Sequence, residues 1–282
     1  MMSNKRDTTA VSPEHARFLS SVKKADRRVT FFRYFILIAA LILWELSARM
    51  GWIDPFIMSS PSQVMSTVAR LYNGNELFHH IGITLYETVV GFILGTILGT
   101  LIAILLWWSK SLARILDPYL VVLNALPKIA LGPILIVWFG AGVKSIIIMG
   151  LLISLVVTVM TVLAGFDEIT GEKQLLMRTL GATKLQILTM VVLPASVPTI
   201  MSALKISVGM SWVGVIVGEY LVSRAGLGYL IVYGSQVFKL DLVMASIVIL
   251  CVLAAAMYYA VAFFEKRLIR WRGHALGCIK AG

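Results

Sequence analysis

The stretch ITLYETVVGFILGTILGTLIAILLWW, Ile83 to Trp108, decides the fold. Apart from Glu87 it carries no charge, and it exceeds the roughly 20 apolar residues a helix needs to cross the hydrocarbon core of a bilayer. Its apolar character is continuous, whereas membrane strands alternate and are shorter, so the stretch reads as a helix. Gly91, Gly95 and Gly99 recur every fourth residue and share one face, where missing side chains let another helix approach closely. We expect that seam to pack against a helix of the same chain.

Further runs of this kind lie on both sides: Phe35 to Ala48, Tyr119 to Phe139, Ser145 to Phe166, Val197 to Tyr220 and Leu242 to Phe264. Together they predict an all-α membrane protein of about six transmembrane helices. Composition agrees, with 59% hydrophobic and 14% charged residues against the roughly 45–50% apolar usage of soluble domains. Mean hydropathy is +0.89.

Orientation follows from where Lys and Arg fall, because cytoplasmic segments collect them. With the N-terminus inside, eighteen of the 25 basic residues face the cytoplasm, among them Lys23, Arg27, Lys110, Arg178, Lys184 and Arg267. Outside fall only Arg49, Arg70, Lys144, Arg224 and Lys239, while Lys128 and Lys205 lie in apolar runs. Topology thus accounts for most of the +11 net charge, and no nucleic-acid partner is expected. Cys251 and Cys278 belong to very different depths, and no disulfide between them is predicted.

Residues 1–33 are read as a cytoplasmic tail, mobile or forming a short helix on the anionic leaflet. Residues 34–264 form the transmembrane domain, and 265–282 a second cytoplasmic tail. Ser60-Pro61-Ser62 suits a helix start, with Ser as cap and Pro at the first helical position. The third run is interrupted by Pro127, Gly132 and Pro133, which either line a cavity or make an ordinary kink. His79 and His80 are expected on the outer surface.

A long polar interruption, residues 167–194, divides the fourth run from the fifth. Leu175, Leu176, Thr179 and Leu180 share one helical face, Gly181 permits a sharp turn, and Leu185, Leu188 and Val192 form a second face. This predicts a cytoplasmic helix-turn-helix.

Here the chain resembles the importer permeases of ATP-binding cassette (ABC) systems, whose cytoplasmic loop opens with Glu-Ala-Ala, has Gly four residues after the second Ala and closes with Leu-Pro. Gly181, Leu193 and Pro194 match in spacing; Leu175, Leu176 and Met177 occupy the opening and depart from it. From Ser60 onward the chain is similar to the nitrate, sulfonate, taurine and pyrimidine subgroup, through Ser60 to Val64, Leu126 to Pro133, Trp138 to Gly142, Gly218-Glu219-Tyr220 and Gly226 to Leu230. The resemblance implies that Leu175, Leu176, Met177, Leu180, Gly181, Ala182, Leu193 and Pro194 couple the membrane helices to a separate ATPase subunit. It further implies an extracytoplasmic solute-binding protein, a second permease subunit as homodimer partner, and a place in the bacterial inner membrane with both termini cytoplasmic.

No Gly-Lys-Ser or Gly-Lys-Thr phosphate loop occurs, so ATP and magnesium are expected in the partner and no cofactor in this chain. No metal-ligand spacing and no catalytic set stands out. Buried charge is costly in a bilayer, which directs attention to Glu45, Glu87, Lys128, Lys205 and Glu219. Lys128, after Pro127, either faces the pathway and attracts an anion or snorkels. Glu219 is expected to pair with Arg224 or Lys128, and Lys205 to reach the interface. Asn124, Ser207, Ser211 and Trp212 are further pathway candidates, although such residues also serve as interhelical hydrogen-bond partners. The expected substrate is a small anion (sulfonate, taurine, nitrate, bicarbonate) or a pyrimidine. An ion-coupled secondary transporter is the alternative.

Overall fold

The computed structural model describes residues 13–52, 54, 58–169 and 171–277, with side chains left undescribed at 13–23, 25, 26 and 268–277. Lys5, Arg6, Thr170, Cys278 and Lys280 lie outside the described residues. In chain order the helices are α1 (Pro13–Arg49), α2 (Pro61–Asn73), α3 (Leu77–Trp108), α4 (Lys110–Ala125), α5 (Gly132–Phe139), α6 (Val143–Asp167), α7 (Gly171–Thr179), α8 (Lys184–Ile187), α9 (Leu193–Val222), α10 (Leu227–Gln236) and α11 (Leu240–Gly277). Five are long and apolar enough to cross a membrane, and α4 with α5 makes a sixth if that bent pair is one span. The first span covers Arg27–Arg49 and lies within one helix from Pro13, so residues 13–26 extend the spanning helix and 27–33, expected in the tail, belong to the span.

Two compact units divide the chain, residues 1–65 and 66–282. In the first, Glu45 binds Arg49 at 2.7 Å and accepts from the Ser62 amide at 3.1 Å. Ser60 caps α2 by accepting from the Gln63 amide at 3.3 Å, the role expected of a Ser before a helical Pro.

In the second unit α3, α6 and α9 form the central packing, with α3 and α6 parallel and α9 antiparallel to them. The glycine seam faces α6, and a Cβ on Gly99 would lie 2.8 Å from the Thr158 Cβ. Only glycine allows this approach. Polar groups along the seam turn inward: Thr158 and Ser207 share a 2.6 Å hydrogen bond between α6 and α9, and Ser196 donates to the Gly165 carbonyl at 3.1 Å. Bonds of this kind hold helices together where lipid gives no hydrophobic drive between them.

The bend between α4 and α5 is 88°. Leu126 is extended (φ −61°, ψ 136°), as a residue preceding proline prefers, and Pro127 then opens a single 3₁₀ turn over Lys128–Leu131. Pro133 sits in the first turn of α5, where its missing N–H costs nothing.

Candidate functional site

The loop between α6 and α9 has the expected shape. Gly181, at φ +80°, ends α7 and lets the Ala182 amide bond the Met177 carbonyl at 2.9 Å. Thr183 and Gln186 then start α8 with a reciprocal capping box. One π turn, Leu188–Val192, carries the chain into α9, so α8 and α9 are continuous through a widened turn. Pro194 cannot supply an amide to the ladder in the first turn of α9, and the π turn accommodates that gap.

The motif residues divide between two surfaces. Leu175, Leu176 and Leu180 are 62%, 61% and 73% exposed. Met177, Ala182 and Leu193 instead pack on a buried cluster of Ala103, Val162, Phe166, Ile187, Leu188 and Val192. Leu185 departs from expectation: it is exposed, and Ile187 takes the buried place, because α8 lasts one turn before the π turn changes the phase. An anchored, helical unit thus presents a leucine face that is left exposed by the described residues.

A second constellation surrounds the start of α10. Three successive backbone amides there meet side chains: Gly226 donates to His80 Nδ1 at 2.9 Å, Leu227 to Thr84 Oγ1 at 2.8 Å, and Gly228 to Glu219 Oε2 at 2.5 Å. Thr84 in turn donates to Glu219 Oε1 at 2.6 Å. The carboxylate therefore sits on the positive end of a helix and its free amides, which offsets part of the cost of burying it. Gly226 is at φ +113°, and a Cβ there would fall 2.6 Å from the Glu219 carboxyl carbon.

This corrects two expectations. Glu219 pairs with neither Arg224 nor Lys128; helix amides and a hydroxyl do that work. His80 is buried, because its Nδ1 is needed as an acceptor and its ring stacks on Tyr229 at 6.2 Å. Glu87 is wholly buried beside Glu219, and neither of its oxygens meets a hydrogen-bond donor among the described residues. His80, Thr84, Glu87, Gly91, Gly95 and Gly99 continue one face of α3, so the glycine period, extended backward, was the signal that pointed to them.

The remaining candidates separate. At the bend, the Lys128 ammonium donates to the Asn124 carbonyl at 3.1 Å and to its side chain at 3.4 Å, and Pro127 adjoins them. Ser211 and Trp212 are buried in α9, with Ser211 Oγ and Trp212 Nε1 lacking a partner among the described residues. Their place is the helix packing and not the bend. Lys205 reaches Glu265 of α11 at 2.5 Å. No cluster of three or more metal-ligating side chains occurs among the described residues.

Residues 92–270 match the family described as binding-protein-dependent transport system inner membrane component. A probable ABC transporter permease protein of Haemophilus influenzae is 32% identical over 81% of this chain and 93% of its own. A putative aliphatic sulfonates transport permease of Bacillus subtilis is 30% identical over 89% and 91%. Among solved structures, the methionine ABC transporter MetNI in an inward-facing conformation aligns with a TM-score of 0.59 at 20% identity, covering 68% of this chain and 96% of that one. That likeness bears on the fold.

Proposed function

The chain belongs to the binding-protein-dependent transport system inner membrane components, and from that premise we propose that it forms the solute pathway of an importer driven by separate ATPase subunits. ATP is bound with magnesium and hydrolysed in those subunits. The observation that carries the reading is the exposed face of Leu175, Leu176 and Leu180 on a helix anchored by Met177 and Ala182. An apolar face outside the bilayer calls for a cover. A cleft on the ATPase supplies one, and closure of the ATPase pair then moves α7 and α8 and, through the π turn, α9.

In this reading both termini and the loop are cytoplasmic, and α10 lies at the opposite side, where a solute-binding protein delivers its cargo. A second copy of the chain completes the pathway, and alternating access follows from rocking of the two bundles. The substrate is a small anion of the sulfonate class. Lys128, bonded to Asn124 at the bend, supports this, as does the sulfonate permease among the relatives.

Co-expression with a partner ATPase subunit tests the proposal. The assembled complex should hydrolyse ATP faster when the loaded binding protein is added, and Gly181→Pro should abolish that stimulation. Unchanged hydrolysis in the variant would remove the coupling role from this loop.

A further inference from the structure

A cavity of about 440 Å³ opens where the loop meets the ends of α3, α4 and α6. Trp107, Lys110, Asp167, Arg178 and Lys184 are among the residues that line it. Three cations thus surround one carboxylate. Lys184 is fixed in place: its ammonium donates to the Trp108 carbonyl and stands 5.3 Å from the centre of that indole ring.

Two features set the depth of this cavity. It lies where the long apolar helices α3 and α6 end, and Trp107 and Trp108 stand at its edge; indoles settle at the headgroup level of a bilayer. On two of the helices that end there, Leu101 and Leu105 of α3 and Leu112 and Ile115 of α4 are exposed, as side chains that meet lipid are. The cavity is thus a basic hollow at headgroup depth.

We propose that the cavity binds the phosphate-bearing headgroup of an anionic phospholipid, held by Lys110, Arg178 and Lys184, with an acyl chain along α3 and α4. A guanidinium fork matches two phosphate oxygens, and the two ammoniums add charge from α4 and α8. A free anion would also satisfy the cations, but the ends of α3 and α6 and the two indoles place them at the level of lipid headgroups. Because Arg178 belongs to α7, the bound lipid ties the coupling helix to the membrane surface, and lipid composition then tunes the movement of the loop.

The full chain, purified in detergent, is exposed to equal amounts of phosphatidylglycerol and phosphatidylcholine with matched acyl chains, and retained lipid is read by native mass spectrometry. Phosphatidylglycerol should be retained in preference, and each of Arg178→Gln and Lys110→Gln should lower its retention roughly fivefold, the worth of one cation near an anionic surface. Lys144→Gln, at the far end of α6, should leave retention unchanged. Both pocket variants alter exposed side chains, and their thermal unfolding should match the parent. Equal retention of the two lipids overturns the proposal, as does undiminished phosphatidylglycerol in both variants. In a further arm, inorganic phosphate at millimolar concentration should neither displace the lipid nor raise the unfolding temperature; if it does either, the cavity is a free-anion site and the lipid assignment fails.

Discussion

The Thr84 hydroxyl donates to the Glu219 carboxylate at 2.6 Å and accepts the Leu227 amide at 2.8 Å, so one side chain of α3 joins α9 to the start of α10. All three groups are buried. Thr84→Val keeps the shape and removes the hydroxyl, leaving the Leu227 amide unsatisfied and Glu219 short of a donor. The loss should be about 1–3 kcal/mol, visible as a lower thermal unfolding temperature of the purified protein. Thr84→Ser should recover most of it. Equal stability of Thr84→Val and the parent would mean that this junction contributes nothing to holding α10.

Gly226 and Gly140 both have positive φ, +113° and +85°, but they differ in surroundings. A Cβ at Gly226 meets the Glu219 carboxylate, whereas one at Gly140 meets nothing within 4 Å. Gly140, at ψ 162°, lies in a region that is essentially reserved for glycine, so Gly140→Ala should show the backbone cost alone, about 1–3 kcal/mol. Gly226→Ala adds displacement of a buried carboxylate from its amides and should be clearly worse in the same unfolding assay. Equal losses would place the requirement for glycine in the backbone alone.

Lys205 and Glu265 join α9 to α11 at 2.5 Å, each with about a fifth of its side chain exposed. Removing one partner leaves a charge at an awkward depth; removing both does not. Lys205→Met and Glu265→Leu should each destabilise, by about 1–3 kcal/mol, and the double variant should lose less than the sum of the two. Additive losses in a double-mutant cycle would show that the pair does not interact.

How much of this was legible in the sequence depends on the kind of signal. Runs of apolar residues gave the spans, and the four-residue glycine period gave the face of α3 that packs on α6, because both are local patterns. Pro127, Pro133 and Gly181 likewise announced the bend and the turn through their own backbone limits. Glu219 could not be placed this way. Its partners come from α3 and from the start of α10, and a sequence rule that seeks a cation for every buried carboxylate overlooks backbone amides. Leu185 failed for another reason: the face of a helix follows its winding, and the π turn shifts the phase between Leu185 and Val192.

Lys128 offers a test of the pathway. Lys128 is half-buried and, among the described residues, bonds Asn124, so Lys128→Gln should fold normally. If an anion passes the bend, uptake of a labelled sulfonate by cells carrying the complete importer should fall in the variant, through a lower rate of passage and not through loss of protein from the membrane. Lys128→Arg should retain part of the rate. Full uptake by Lys128→Gln would direct the search for the pathway away from the bend.

The loop makes the sharpest distinction between folding and coupling, because its leucines face opposite ways. Leu180 is 73% exposed, whereas Leu188 is 5% exposed within the cluster around Phe166. Leu180→Glu places a carboxylate in water and should leave thermal unfolding within about 0.5 kcal/mol of the parent, yet a charge in the middle of the proposed docking face should release the ATPase during co-purification. Leu188→Glu buries a charge without a partner and should instead destabilise the permease itself. The two variants therefore separate two meanings of a lost complex: an intact permease without its ATPase in the first, and a failing permease in the second. If Leu180→Glu retains the ATPase in full, the exposed leucine face is not where the energy of ATP enters this protein.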